Sequence, residues 1–225
     1  MPRLIVALSK VKDGSMSFPG GVQDETTVHN RESWLSFVGI AIDDATRVSV
    51  TYGQPDYYRY STLSAASKGM GMRDNDIIIS DALVVTKPGH ALFLPVADCV
   101  ATVLYDEEKS ILMLSHLGRH SLEQDGGVKS VQYLVDTFGV NPENLKVWLS
   151  PTLNKEVYPI FALGNKGMKE VLYDQLAVAG VDSVNITDNT ADTFTDPEYY
   201  SHSAYLQGNQ EEDGRFAMVT MMVQD

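Results

Sequence analysis

The sequence predicts a mixed α/β (α+β) fold in a single domain spanning residues 1–225. Three observations carry this. Short apolar, strand-like runs and segments of helical period are interleaved along the whole chain, rather than gathered by type. The length of 225 residues suits one large domain, and 44% hydrophobic against 21% charged residues is enough to build a full core. No internal repeat and no low-complexity linker divides the chain.

The elements follow in order. Residues 4–8 form a short apolar strand, ended by Asp13-Gly14, and Pro19-Gly20-Gly21 marks a loop. Thr26 or Thr27 caps a helix over residues 28–38, with Trp34, Leu35 and Val38 as its apolar stripe. Residues 47–51 alternate as a strand. Residues 53–73 are polar and rich in Tyr, Gly and Ser, which reads as a long loop, and loops of that length are usually functional or disordered. Residues 77–86 are an apolar run with Asp81 in the middle, followed by a Pro88-Gly89 turn. Residues 91–105 and 111–115 are two strands joined by a charged tip, Asp106 to Lys109. Residues 127–138 carry a helical period through Val128, Val131, Leu134 and Val135. A strand at 145–149, a helix at 166–179, a short strand at 181–186, a polar loop at 187–212 and a last strand at 215–223 complete the chain.

Composition narrows the function. The formal net charge is −13, and a surface of that sign repels nucleic acid and anionic membrane. Any anionic ligand therefore needs arginine or lysine close by. One cysteine permits no intrachain disulfide, which suits a reducing compartment. The apolar start is too short for a secretory signal, and no run approaches the roughly 20 residues of a membrane span. The expectation is a cytoplasmic protein.

The chemistry concentrates at Cys99 and His116. A four-residue tip at 106–109 places Tyr105 opposite Ser110 and Cys99 opposite His116. Directly opposed residues share a face, with Cβ atoms about 4.5–5.5 Å apart. A five-residue tip would put Cys99 on the other face. A thiol beside an imidazole can yield a nucleophilic thiolate, or the two can ligate zinc together.

Residues 81–118 read DALVVTKPGHALFLPVADCVATVLYDEEKSILMLSHLG. This resembles the laccase-domain family, also called YfiH-like or multicopper-polyphenol-oxidase-like, whose pattern runs A-D-A-L-V-T, P-G, a strand ending in A-D-C, a hairpin, and H-A-G-W-R-G. Asp81, Ala82, Leu83, Thr86, Pro88, Gly89, Ala97, Asp98, Cys99, Asp106, His116 and Gly118 match. Weaker echoes lie at Gly14-Ser15-Met16-Ser17, Asn30-Arg31, Pro142-Glu143-Asn144, residues 147–151 and Gly214-Arg215. The resemblance implies a compact domain of mixed sheets layered between helices, the fold also met in cysteine-hydrolase-like proteins. It implies purine nucleoside chemistry: phosphorolysis of adenosine, inosine or methylthioadenosine, or deamination of adenosine. It also implies a site of two histidines and one cysteine able to hold zinc, of which Cys99 and His116 carry over. Copper fits less well, since one cysteine and scattered histidines cannot build a multicopper centre. The implied ligands are a small nucleoside and phosphate.

The chain departs from the pattern at three places. Tyr52, in Val50-Thr51-Tyr52-Gly53, replaces the family's first histidine, and a phenol is a poor zinc ligand at neutral pH. Arg119-His120-Ser121 stands where the family has W-R-G, so Arg119 becomes a candidate anion holder and His120 a candidate replacement metal ligand beside Cys99 and His116. Tyr199-Tyr200-Ser201-His202-Ser203 lacks the family's basic pair. In the long loop, Tyr57, Tyr58 and Tyr60 can stack on a purine, and Arg59 can hold an anion. Three functions compete: a purine nucleoside enzyme, a metal-free hydrolase or deamidase with Cys99 as nucleophile and His116 as base, and a non-catalytic binding member.

Overall fold

Alternation within single strands decides how the layers stack. The structure, a computed structural model, describes residues 2–224, with Pro19 described by its backbone only. Arg3–Leu8 (β1) is followed by the helix Glu25–Phe37 (α1), then Ala45–Ser49 (β2), Tyr60–Thr62 (β3), Ile78–Ile79 (β4), Ala82–Val85 (β5), Ala91–Val96 (β6), Val100–Asp106 (β7) and Ile111–Leu117 (β8). The helices Arg119–Leu122 (α2) and Gly126–Phe138 (α3) come next, then Lys146–Leu149 (β9), Met168–Val178 (α4), Ile186–Asp188 (β10), His202–Leu206 (α5) and Phe216–Val223 (β11). One sheet has five strands in the order β1-β11-β6-β2-β4, the other six in the order β10-β9-β7-β8-β5-β3.

In β6, Leu92, Leu94 and Val96 face a core shared with Val103, Tyr105, Leu112 and Leu114 of the second sheet. The intervening Ala91 and Phe93 face Trp34 and Leu35 of α1. In β8, Ile111, Met113 and Leu117 turn the other way, onto Leu134 of α3 and Leu172 and Leu176 of α4. The order of layers is therefore α1, five-stranded sheet, six-stranded sheet, α3 with α4. Both sheets are covered on both faces, which explains strands that read as continuous apolar runs. Burying each such Leu, Val or Phe contributes about 1.5–3 kcal/mol. No helix among the described residues is long and apolar enough to cross a membrane.

Several sequence expectations need correction. The first helix starts a turn earlier than residue 28, because the Asp24 carboxylate accepts the Thr27 N–H at 2.8 Å and caps it. The 77–86 run breaks at Ser80-Asp81, and its two halves join different sheets. The 91–105 run breaks at residues 97–99, where the chain leaves the five-stranded sheet for the six-stranded one. Finally, the hairpin tip is 107–110, so Ala101 rather than Cys99 lies opposite His116. The reason is local: the Asp106 carboxylate accepts the Lys109 N–H at 2.9 Å, and Ser110 takes φ 55°. Cys99 lies just before β7, yet its Sγ and His116 Cε1 both come close to Gly118, so the two still share one side. The loop at 53–73 contains β3 and that at 187–212 contains α5, while the strand expected at 181–186 is displaced to Ile186–Asp188 (β10), behind a 3-10 turn at Ser183–Asn185.

Candidate active site

The crossing between sheets builds the site. Asp98 sits at φ 78°, a left-handed conformation that a non-glycine residue adopts at a cost. Its carboxylate is fully engaged: Oδ1 accepts the Thr193 hydroxyl at 2.9 Å and Oδ2 the Ser203 N–H at 2.8 Å. Its carbonyl accepts the Thr152 hydroxyl and, at 3.3 Å, the Leu153 N–H. This turn directs half-buried Cys99 toward His116 near the end of β8, where the layer between the sheets opens. The His116 N–H donates to the Asp81 carbonyl at 2.8 Å.

Gly118 measures how closely the two meet. A Cβ there would lie 2.8 Å from Cys99 Sγ and 3.2 Å from His116 Cε1. Burial, with Asp98 adding to it, pushes the Cys99 thiol up to about 12. Burial pulls the His116 imidazole down to about 4. Both groups are neutral at pH 7, a thiol and an imidazole rather than an ion pair.

Cys99 and His116 line a cleft of about 520 Å³, together with Tyr52, Tyr57, Arg119 and His120. The ring of His120 stacks on Tyr57 at 4.9 Å and 19°, with Tyr52 edge-on to it at 6.4 Å. Gln124 fixes this group by accepting the Tyr57 N–H at 3.0 Å, and the Tyr57 hydroxyl accepts the Gly53 N–H at 2.9 Å. Arg119 lies 3.4 Å from His120 Nε2 and 3.7 Å from Glu123.

Arg59, expected to hold an anion, is not among the residues lining the cleft. Its guanidinium grips the buried Asp81 carboxylate at 2.8 and 3.0 Å and reaches the Thr51 hydroxyl at 3.0 Å. Tyr58 lies instead under the Lys129 ammonium, 3.4 Å from the ring centre, and Tyr60 packs on Tyr133. Residue reading missed Arg47, Arg215 and His202, which line the cleft from β2, the start of β11 and α5. Gly214-Arg215 was visible as a motif, His202 only as part of a stretch lacking the family's basic pair, and Arg47 gave no signal, because only tertiary folding brings it in.

The donors do not fit a catalytic zinc. Among the described residues no three His, Cys, Asp or Glu side chains converge as a metal group. His120 Nε2 faces the Arg119 guanidinium at 3.4 Å, a cation that disfavours a metal ion there. More than half of Tyr52 is exposed, yet partial burial and then Cys99 push its phenol up to about 12. Such a donor set suits a multicopper centre still less.

Residues 20–171 match the family described as multi-copper polyphenol oxidoreductase laccase. The chain belongs to that family. A curated relative, the purine nucleoside phosphorylase of Deinococcus radiodurans, is 26% identical over 131 residues, covering 58% of this chain and 46% of that protein. The match thus spans less than half the length of that relative. The fold is shared with the hypothetical protein YfiH of Bacillus licheniformis (TM-score 0.83, 18% identity, 97% of this chain and 92% of that one). It is shared also with YlmD of Geobacillus stearothermophilus (TM-score 0.83, 16% identity, 98% and 92%).

Proposed function

We propose that this chain is a purine nucleoside-processing enzyme and that its reaction is phosphorolysis of the glycosidic bond. One observation carries the reading: a single cleft combines the aromatic group of Tyr52, Tyr57 and His120 with Arg47, Arg119 and Arg215. Its volume of about 520 Å³ lies within the range of small-molecule sites, about 300–1,000 Å³. The aromatic rings suit the face of a purine. The guanidiniums suit phosphate: Arg47 makes no salt bridge among the described residues, while Arg119 lies 3.7 Å from Glu123 and Arg215 2.6 Å from Asp213. In a protein of net charge −13, these arginines bring cationic groups to the cleft, which Asp98 also lines, as an anionic ligand requires.

In this reading a phosphate oxygen attacks the anomeric carbon and the purine departs with the bonding electrons. Cys99 and His116 form a neutral floor that can donate to and accept from the substrate without placing a competing charge there. The relative named purine nucleoside phosphorylase supports the substrate class. Adenosine deamination ranks second, because the arginines have no task in it. A Cys99 nucleophile is disfavoured by a thiol held near 12.

The test is to incubate purified protein with adenosine, inosine and methylthioadenosine, with and without phosphate, and to separate the products. Free base is expected only with phosphate. Inosine formed from adenosine would favour deamination instead, and unchanged nucleosides would overturn the reading.

A further inference from the structure

His202 is the cleft histidine with a carboxylate behind it. It opens α5, directly after Ser201, whose hydroxyl accepts the Ala204 N–H at 3.1 Å and caps the helix. His202 Nδ1 lies 2.9 Å from Asp213 Oδ1. Arg215 holds the same carboxylate oxygen at 2.6 Å. Burial raises the Asp213 carboxyl, but the hydrogen bonds from Arg215 and His202 outweigh it and hold the group below the usual carboxylate range. Asp213 is therefore a stable anion that fixes His202 with its proton on Nδ1. Nε2 is left as the nitrogen available to the cleft, which His202 and Arg215 both line. The neighbouring Ser203 N–H is bonded to Asp98, the residue before Cys99, so the pair is anchored to the same turn that builds the site.

The other two cleft histidines are placed differently. His116 is 7% exposed and held near 4, so it carries no spare proton at neutral pH. His120 lies flat on Tyr57 with a guanidinium, not a carboxylate, at its Nε2.

We propose that His202, backed by Asp213, is the acid–base group of the cleft. This rests on the phosphorolysis reading. As the C1′–N9 bond breaks, its electron pair passes to the purine ring, and protonated His202 transfers its Nε2 proton to ring nitrogen N7. A hydrogenphosphate oxygen forms the new C1′–O bond. The proton that hydrogenphosphate loses on becoming a phosphomonoester returns to His202, so the group ends as it began. Proton transfer of this kind is worth about 10²–10⁴-fold in rate.

The test compares two substrates. Inosine needs a proton on its leaving base. 7-Methylinosine carries a cationic base that leaves without one. In His202→Gln and Asp213→Asn, turnover of inosine should fall about 100-fold or more. Turnover of 7-methylinosine should stay within about threefold of wild type, and added imidazole should restore inosine activity in part to His202→Ala. Equal losses on both substrates, or no loss on either, in an active wild type would overturn this inference alone. A wild type inactive on both would overturn the phosphorolysis reading and this inference with it.

Discussion

Gly118 and Cys99 are the residues where the account is most exposed to test. A methyl group at Gly118 would sit 2.8 Å from Cys99 Sγ, and neither neighbour is a free-swinging side-chain end. Gly118→Ala should therefore cost about 1–3 kcal/mol in stability and displace the Cys99–His116 floor, read as a lowered unfolding midpoint together with lost turnover. A thiol held near 12 leaves only about one molecule in 10⁴ as thiolate at pH 8. Alkylation of Cys99 by iodoacetamide should accordingly be slow in the folded protein and accelerate about 10–1,000-fold on unfolding. Fast alkylation at pH 7 would mean an activated nucleophile and would revive the hydrolase reading.

Between elements, the decisive feature is the break at residues 97–99. Asp98 pins it through Thr193 and Ser203, two hydrogen bonds to a buried carboxylate. Removing them in Asp98→Ala should destabilise the protein by about 3 kcal/mol, while Asp98→Asn, which keeps a side chain at ease with positive φ, should cost less; chemical denaturation measures both. This break also shows where sequence reasoning stops. The apolar run from Ala91 to Tyr105 contains nothing that says it changes sheets, since each half is buried on both faces and reads alike. The nearness of Cys99 to His116 was legible from the hairpin, although their direct pairing was not, since Ala101 takes the place opposite His116. The resemblance located Tyr52, Arg119 and His120, and all three line the cleft. Arg59, read from the composition of its loop rather than from the resemblance, does not line the cleft, because its partner Asp81 lies 22 residues away and reaches it only when β3 pairs with β5. His202 was noted merely as the absence of a basic pair, and its carboxylate partner lies in a loop with no pattern of its own.

At the scale of the whole molecule, four layers bury two histidines as neutral rings. His90, bonded to Thr46 at 2.7 Å, and His116 are both lowered by burial from 6.5 to about 4. A histidine whose folded value is depressed binds its proton more readily when unfolded. Stability is then full above about pH 6.5, falls as pH drops from 6.5 to 4, and flattens below 4 with respect to these groups. Each contributes up to about 3 kcal/mol over that window. Urea midpoints measured across it should decline steadily, and the decline should shrink in His90→Asn. The same layering leaves one end of the inter-sheet space open as the cleft, and the central claim is that phosphate and a purine nucleoside react there. Phosphorus NMR of the protein with inosine and phosphate tests this most directly. The account predicts a new phosphomonoester resonance that grows in step with released hypoxanthine; hypoxanthine without that resonance, or no hypoxanthine at all, would contradict it.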